Sequence, residues 1–406
     1  MATPAFDSTV LTRRGVLAAA AGSLLLAGCG PQGQRPGDGG TSSAPGDQDL
    51  FVGASLELSG RGATLGVFQR RALEITAESL NRAGIQVGTL LRSIRLDIRD
   101  NGGSPEVAAR QAAELTRAGA QALVGGVLGE TAAALAAAAQ RLKTPYLSLG
   151  YGDRIVLPLQ ERTFSFKLTP DGTDMARRLA DLLESQRIRR VVLLAADGPH
   201  GDSGVRAVRD ALDNSRVDLV RTVRLPETGR NFRSAAERAA AGEPDGVIVW
   251  GTAPDSGDAA RELRRAGHHG PLFFDAGAVA DDTVSGANAT AVEGAYAVHP
   301  ACLGGSPLTA TSTAQVARQD FDRRYTQRHG TSVAFAPYAS DALQLLAASA
   351  RKATSLDRGR LRAFLQTQMA EGIAGGYAFT EGRHGGMEAD SLGVYLVSQG
   401  SWTRYA

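Results

Sequence analysis

The chain has 406 residues, 43% of them apolar, with 44 basic and 42 acidic side chains and a formal net charge of +2. This length accommodates two domains of ordinary size. The sequence contains no basic patch or arginine-rich tract, which argues against nucleic acid as a partner. With Cys29 and Cys302 as its two cysteines, the chain is not a disulfide-rich scaffold.

The N-terminal segment has the pattern of an export signal. Arg13 and Arg14 precede an apolar run over residues 16–27, which is shorter than the roughly 20 residues that span a bilayer. The run ends in Leu26-Ala27-Gly28-Cys29. This tetrapeptide resembles the bacterial lipobox, whose cysteine is acylated and becomes the new N-terminus. The arginine pair resembles a twin-arginine export signal. An uncleaved anchor is the alternative interpretation of the apolar run.

These features predict a signal peptide over residues 1–28 and a flexible tether over residues 29–48. The tether is rich in Gly, Pro, Ser, Gln and Asp, and it has no apolar residue larger than alanine. Such a segment buries too little surface to offset the entropy lost on ordering. We therefore expect a domain held by a lipid on Cys29 at the extracytoplasmic face of the cell membrane. Cys302 then has no partner in the chain, which excludes structural disulfides.

From Asp49 onward, short apolar strands alternate with amphipathic helices, which predicts an α/β protein with parallel sheets. The first series has these predicted elements: strand 51–56, a helix with Leu73, Ala77 and Leu80 on one face, strand 94–98, a helix that begins at Ser104-Pro105, strand 122–124, helix 132–142 and strand 146–149. The helices are read from i, i+4, i+7 spacing and the strands from alternation or continuous apolar runs.

A second, similar series follows. Its predicted elements are a helix with Met175, Leu179 and Leu182 on one face, strand 191–195, helix 205–212, strand 217–223, helix 231–241 and strand 246–250. Two similar α/β lobes are the simplest account of the repetition. Ligands of such sheets bind beyond the carboxyl ends of the strands, so facing lobes form a cleft between them.

Several short segments in a fixed order carry a resemblance to a known family. They are residues 58–60 with 65–66, then 97–101, 146–150, 164–171 and 335–342. Behind a lipoprotein signal, this order resembles the type I periplasmic solute-binding proteins of the leucine/isoleucine/valine-binding class. Those proteins deliver ligands to ATP-driven (ABC) importers.

The resemblance implies two Rossmann-like lobes with parallel sheets, joined by a three-strand hinge about which the cleft closes. The first lobe would comprise residues 49–168 and 298–375, and the second would comprise residues 169–297 and 376–406. We expect a monomer that takes a small polar ligand, acts with ABC permease subunits and needs no cofactor.

The resemblance also implies a set of ligand-binding residues. In the first lobe these are Gly129, Glu130 and Thr131 at a helix start, and Leu149, Gly150, Tyr151 and Gly152 in a second loop. Free N–H groups and the dipole at a helix start favour an anion, and the family binds its ligand's carboxylate there. Capping of a surface helix is the alternative role for Glu130 and Thr131. Tyr151 and Gly152 stand where the family usually has a small residue and then a threonine, so one expected hydroxyl is missing. Tyr151 either stacks on the ligand or fills space at the lobe edge.

The remaining implied contacts are Leu65 in the first lobe and His200, Thr252 and Asp275 in the second. Leu65 stands where the family often has an aromatic residue. His200 aligns with a tyrosine, and a solvated loop histidine is its alternative role. Gly277 takes the place of the acidic residue that pairs with an ammonium, with Asp275 nearby. An unpaired buried charge is costly, so we expect a ligand other than a branched-chain amino acid. A carboxylate, an amide or a larger polar metabolite fits these substitutions better.

Catalysis has little support in the sequence. It contains no Gly-x-Ser-x-Gly elbow, no phosphate-binding lysine loop and no His/Cys metal spacing, and its 6 histidines are scattered. We therefore expect a binding protein with no metal, and not an enzyme. A sensory lipoprotein that signals to a membrane receptor is the alternative function, because it would share the same fold and cleft.

Overall fold

Strand–helix alternation from Asp49 onward produces the two parallel sheets that the sequence predicts. The computed structural model describes residues 49–213, 215–226, 232–300, 312–330, 335–387 and 389–405. The predicted signal peptide and tether, with Arg13, Arg14 and Cys29, lie outside these residues, as does Cys302.

The first lobe begins with alternating strands and helices. In chain order they are β1 (Leu50–Leu56), α1 (Ala63–Ala83), β2 (Ile85–Val87), β3 (Leu90–Arg92), β4 (Ile94–Asp100), α2 (Pro105–Arg117), β5 (Ala122–Gly125), α3 (Gly129–Leu142), β6 (Tyr146–Ser148) and β7 (Ser165–Lys167). Within the described residues, a five-stranded sheet has the order β4-β1-β5-β6-β7, and all its pairs are parallel. The β2–β3 hairpin was not predicted.

Local sequence signals explain several of these elements. Every residue of β1 is buried, as expected for a parallel strand that is covered on both faces. The side chain of Ser104 accepts a hydrogen bond from the N–H of Val107 (3.2 Å) at the start of α2, and Pro105 occupies the first turn. This cap and proline confirm the predicted helix start.

The second lobe continues the alternation. Its elements are α4 (Gly172–Ser185), β8 (Arg190–Ala196), α5 (Pro199–Leu212), β9 (Asp218–Leu225), α6 (Arg233–Ala240), β10 (Gly246–Trp250), α7 (Asp255–Arg265), β11 (Leu272–Phe274), α8 (Asp281–Val284), α9 (Ala289–Val292) and β12 (Tyr296–Pro300). The remaining elements are α10 (Thr313–His329), α11 (Ala336–Ala353), α12 (Arg358–Leu365), β13 (Met369–Glu371), β14 (Gly376–Ala378), β15 (Leu392–Ser398) and β16 (Ser401–Arg404).

The second sheet has the order β16-β15-β12-β11-β10-β8-β9 across the described residues. Strands β8 to β12 are paired in parallel. Strands β15 and β16 come from the end of the chain and add an antiparallel edge, which the sequence did not predict. The α/β class and the two parallel-sheet lobes are confirmed.

Apolar side chains on both faces of the first sheet pack against helices. Val52 and Ala54 of β1 share a core with α1 and α11, whereas Phe51 faces the core formed with α2 and α3. The core of the second lobe also takes in Leu65 and Tyr151 from the first. The two lobes are therefore packed against each other, and both belong to one unit, residues 45–406.

The chain leaves the first sheet after β7, and an ion pair lies at this crossing. The ammonium of Lys167 is 2.6 Å from the carboxylate of Asp171, with the lysine side chain 1% exposed. A later boundary differs from the prediction. The predicted boundary after Gly375 places Tyr377 and Phe379 in the second lobe. Both rings are buried in the core that α1 and α11 share with the first sheet. The other lobe boundaries stay a prediction.

Candidate functional site

The loops that follow the parallel strands of the two lobes form the candidate site. They follow β1, β5 and β6 in the first lobe and β8, β10 and β11 in the second. Carboxyl ends of parallel strands are the usual ligand-binding edge of such sheets. A cavity of about 550 Å³ lies between the loop after β1 and the loops after β9 and β10. It is lined by residues 60–65 on one side and by Pro226, Phe232 and residues 253–255 on the other.

Charged and apolar residues share the wall of this cavity. Nη1 of Arg61 lies 2.9 Å from Oε1 of Glu130, and Nε of Arg61 lies 3.9 Å from Oδ2 of Asp255 in the other lobe. All three side chains are partly exposed, so each pair contributes at most about 1 kcal/mol. Leu65 is buried and lines the same cavity. Of the predicted residues, Glu130 and Leu65 therefore lie at or beside the cavity.

The start of α3 is occupied by a side chain that the prediction missed. Glu57, directly after β1, is fully buried, and Oε2 of its carboxyl accepts a hydrogen bond from the N–H of Val127 (2.9 Å). Oε1 accepts from the N–H of Leu128 (3.4 Å) and contacts the hydroxyl of Thr131. Burial raises the pKa of Glu57, and these hydrogen bonds act in the opposite direction. The hydroxyl of Thr131 is thus already bonded to a carboxyl group of the chain, whereas an anion site at the N–H groups of this helix start stays a prediction.

The second predicted loop lies at the contact between the lobes. The ring of Tyr151 is 1% exposed and lies 5.3 Å from the ring of His200 and 6.0 Å from that of Phe335, measured between centroids. Its hydroxyl is 3.2 Å from the hydroxyl of Tyr338. Tyr151 therefore packs among protein side chains and fills space between the lobes.

Glycines permit this close approach of the main chains. A Cβ atom at Gly129 would lie 2.9 Å from the carbonyl oxygen of Tyr151 and 3.2 Å from the nitrogen of His200. Gly152 has φ +124° and comes similarly close to His200. Leu149 and Gly150 are buried in the same loop. The structure thus brings the predicted first-lobe loops and His200 together.

In the second lobe, His200 and Asp275 form a buried pair. Nε2 of His200 lies 2.9 Å from Oδ2 of Asp275. The carboxylate also accepts hydrogen bonds from the N–H groups of Gly251 and Gly277, both at 2.8 Å. Asp275 is fully buried, so its carboxylate is not exposed to the cavity, in contrast to the expected contact with a ligand. Thr252 is partly exposed, beside the residues that line the cavity.

No cluster of His, Cys, Asp or Glu in the part of the chain that the structure describes could hold a metal ion. A family model described as "periplasmic binding protein" matches residues 49–400.

The chain belongs to the periplasmic binding protein family. A comparison with curated proteins finds no match. Solved structures share the fold of this periplasmic binding protein. An extracellular ligand-binding receptor from Rhodopseudomonas palustris HaA2 is 20% identical with a TM-score of 0.80, covering 88% of this chain and 100% of that one.

Two further relatives have a ligand named with their structures. The branched-chain amino acid transporter substrate-binding protein LivJ from Streptococcus pneumoniae, in complex with isoleucine, is 19% identical with a TM-score of 0.74, over 88% of this chain and 100% of that chain. An ABC transporter solute-binding protein from R. palustris, in complex with benzoate, is 20% identical with a TM-score of 0.75, over 88% and 96%. The predicted family and its fold are confirmed.

Among its described residues, the periplasmic binding protein contains no helix with the length and apolar character needed to cross a membrane. The sequence did not predict Glu57, Arg61, Phe335 and Tyr338 as parts of the site. For Glu57 a signal was available, because a charged residue follows a completely buried strand without a break. Phe335 and Tyr338 lie in a segment that carries the family resemblance, but the resemblance implies no role for them.

Proposed function

We propose that this chain is an exported lipoprotein that binds a small solute between its lobes and delivers it to an ABC importer. The observation that carries the proposal is the 550 Å³ cavity between strand-end loops of two facing parallel sheets. Cavities of this size suit a small-molecule ligand. The ligand-binding role extends to Leu65 and Glu130 and to Thr252 beside the cavity, whereas Tyr151 and His200 pack against each other between the lobes.

Direct contacts between the lobes support a cleft that closes. The N–H of Asp153, in the first lobe, donates to Oγ of Ser203 in the second at 2.7 Å. The carboxylate of Asp153 also lies 3.0 Å from the guanidinium of Arg206. Such bonds between lobes form when two rigid lobes close around a ligand. A membrane partner can then recognise the closed form of the protein.

The first test is identification of the solute. The protein without its signal peptide is purified under native conditions, and released small molecules are identified by mass spectrometry. A thermal-shift screen follows, because a ligand that prefers the folded state raises the Tm. Absence of any released solute and of any stabilising compound would contradict the binding function.

The lipid anchor is tested at Cys29. We expect Cys29→Ser to move the protein from the membrane fraction to the soluble fraction, because the acylated sulfur is lost. Cys302→Ser is the matched control and should stay membrane-bound. Replacement of Arg13 and Arg14 by lysine should block export if the twin-arginine route is used. A Cys29→Ser variant that remains in the membrane would argue against lipidation.

Transport and sensing are separated by deletion of the gene. We expect uptake of the identified solute to fall when the protein is absent, because the permease then receives no loaded partner. Unchanged uptake together with an altered transcriptional response to the solute would favour the sensory alternative.

A further inference from the structure

The β2–β3 hairpin exposes two adjacent leucines of the first lobe. Leu90 is 46% exposed and Leu91 is 67% exposed, and both belong to β3. Strand β2 buries Ile85 and Val87 in the core with α1 and α11, so the hairpin is held in place by its other strand. Among the large apolar side chains that are exposed in the described ranges, Leu90 and Leu91 are the pair that is adjacent in sequence. Single exposed apolar residues are ordinary on a protein surface, whereas this pair is a candidate contact surface.

The direction of the chain places this hairpin at the amino ends of the parallel strands. Helix α1 begins after the carboxyl end of β1 and returns to its amino end, and the hairpin lies between the end of α1 and the start of β4. The first residues of β1 and β4, Leu50 and Ile94, are paired there. The 7 residues of β1 separate the two ends of the sheet by about 20 Å. The hairpin is therefore at the opposite end of the first lobe from the loops of the candidate site.

The segment that leads from Cys29 joins the described domain beside this hairpin. Asp49 is the first described residue, and its carboxylate accepts a hydrogen bond from the N–H of Ser93 at 3.2 Å. The N–H of Leu50 donates to the carbonyl oxygen of Ser93 at 2.8 Å. Ser93 directly follows β3. A lipid on Cys29 therefore tethers the domain by the end that carries the exposed leucines.

Basic side chains surround the hairpin, and four of them form what we call the basic rim. Arg82 lies in the last turn of α1, Arg92 ends β3, and Arg351 and Lys352 lie in the last turn of α11. The guanidinium of Arg351 donates to the carbonyl oxygen of Gly84, directly before β2, at 3.4 Å. Basic residues suit helix C-termini because of the helix dipole, and both helices end at this side of the lobe.

Acidic residues at the same end do not balance the basic rim. Glu78, one turn before Arg82, is paired with Arg328 at 2.7 Å. Asp49 accepts the N–H of Ser93, as described above, and Asp357 caps α12. These two carboxylates face the four cations of the rim, so the surface around the exposed leucines is positively charged.

We propose that this end of the first lobe is a membrane-contact surface for a bilayer that contains anionic lipid. Leu90 and Leu91 enter the headgroup region, and the basic rim binds the lipid phosphates. Apolar side chains flanked by Lys and Arg bind membrane surfaces in this way. With this end on the bilayer, the loops of the candidate site face away from the membrane, toward incoming solute. The inference goes beyond the proposed function and uses the lipid on Cys29 only to state which end is tethered.

The surface is tested by sedimentation with vesicles, using protein without its signal peptide that carries Cys29→Ser and hence no lipid. We expect binding to phosphatidylcholine mixed with phosphatidylglycerol at roughly three to one, release by about 0.5 M NaCl, and no binding to phosphatidylcholine alone. Leu90→Ser with Leu91→Ser should weaken binding by about tenfold or more, and Arg351→Gln with Lys352→Gln by a similar factor.

Matched control pairs come from other surfaces. Val220→Ser with Met369→Ser removes exposed apolar side chains elsewhere, and Arg209→Gln with Arg216→Gln removes exposed charges of the second lobe. Both pairs should bind like the unsubstituted protein. Absent binding to the anionic vesicles, equal binding to uncharged ones, or equal loss in the controls overturns the proposal.

Fluorescence gives a second measurement that does not depend on loss of binding. We expect the added indole of Leu91→Trp to shift its emission to shorter wavelengths on anionic vesicles and to be quenched by brominated lipid, whereas Val220→Trp should show neither effect. A dimer in solution that the leucine substitutions dissociate, without vesicle binding, would assign the hairpin to a second copy of the chain and overturn the proposal. Neither assay contains the attached lipid or the solute, so failure of the lipidation or solute tests leaves both results readable.

Discussion

Replacement of Asp275 by alanine tests whether the second-lobe strand ends are held together by one carboxylate. The variant removes the acceptor of three buried donors: the N–H groups of Gly251 and Gly277, at 2.8 Å, and Nε2 of His200, at 2.9 Å. Asp275 is fully buried, so bulk water does not replace these bonds without a rearrangement.

The magnitude follows from the donors left without partners. An orphaned buried donor costs about 1–3 kcal/mol. The imidazole of His200 is buried as well, packed against Tyr151 and Trp250, so all three donors contribute. We expect Asp275→Ala to lower the free energy of unfolding by about 3–9 kcal/mol. Asp275→Asn keeps one oxygen acceptor, and we expect it to lose about half as much.

The assay is equilibrium unfolding in urea, followed by circular dichroism on the protein without its signal peptide. Asp210→Ala is the matched control, since Asp210 is exposed on α5, and surface substitutions of this kind change stability by about 0.5 kcal/mol or less. If Asp275→Ala stays within about 1 kcal/mol of the wild type, the carboxylate does not hold these loops and the reasoning is refuted.

Three further changes probe the close packing, a buried histidine and the lobe crossing. In Gly66→Ala the new Cβ would lie 1.9 Å from a main-chain carbonyl oxygen, whereas a Cβ at Gly382 would have no heavy atom within 4 Å. Thermal unfolding should show that Gly66→Ala loses about 3 kcal/mol or more of stability and that Gly382→Ala loses none. Equal Tm values for the two variants would contradict this. Burial lowers the pKa of His299 to about 3 from 6.5. The unfolded chain therefore binds a proton below pH 6.5 that the folded chain does not bind. Stability is full above pH 6.5 and falls by up to about 5 kcal/mol as the pH decreases toward 3. Urea unfolding at a series of pH values should show this loss, and His299→Phe should reduce the slope; an identical slope in the variant would count against the assignment. Lys167→Met removes the 2.6 Å partner of Asp171, whose carboxylate keeps Arg383 at 3.2 Å. The variant should lose about 1–3 kcal/mol in urea unfolding, and an unchanged stability would exclude this role of Lys167.

The sequence alone determined the class of fold and the family. Apolar periodicity is a local property, so it predicted β1, α2 and most of the strands that follow them. Ser104 and Pro105 marked a helix start because capping involves residues only three positions apart. The order of short segments predicted a periplasmic binding protein, which the family match over residues 49–400 confirms. The export signal and lipid attachment at Cys29 stay predictions from the same sequence.

The tertiary structure alone decided which polar groups the site has available. Glu57 bonds to a residue 70 positions away, and His200 pairs with Asp275 across 75 positions. No local pattern encodes such separations, because they depend on how strands are ordered and helices packed. A resemblance could therefore align Thr131 and Asp275 with ligand contacts, whereas packing commits both to partners within the chain.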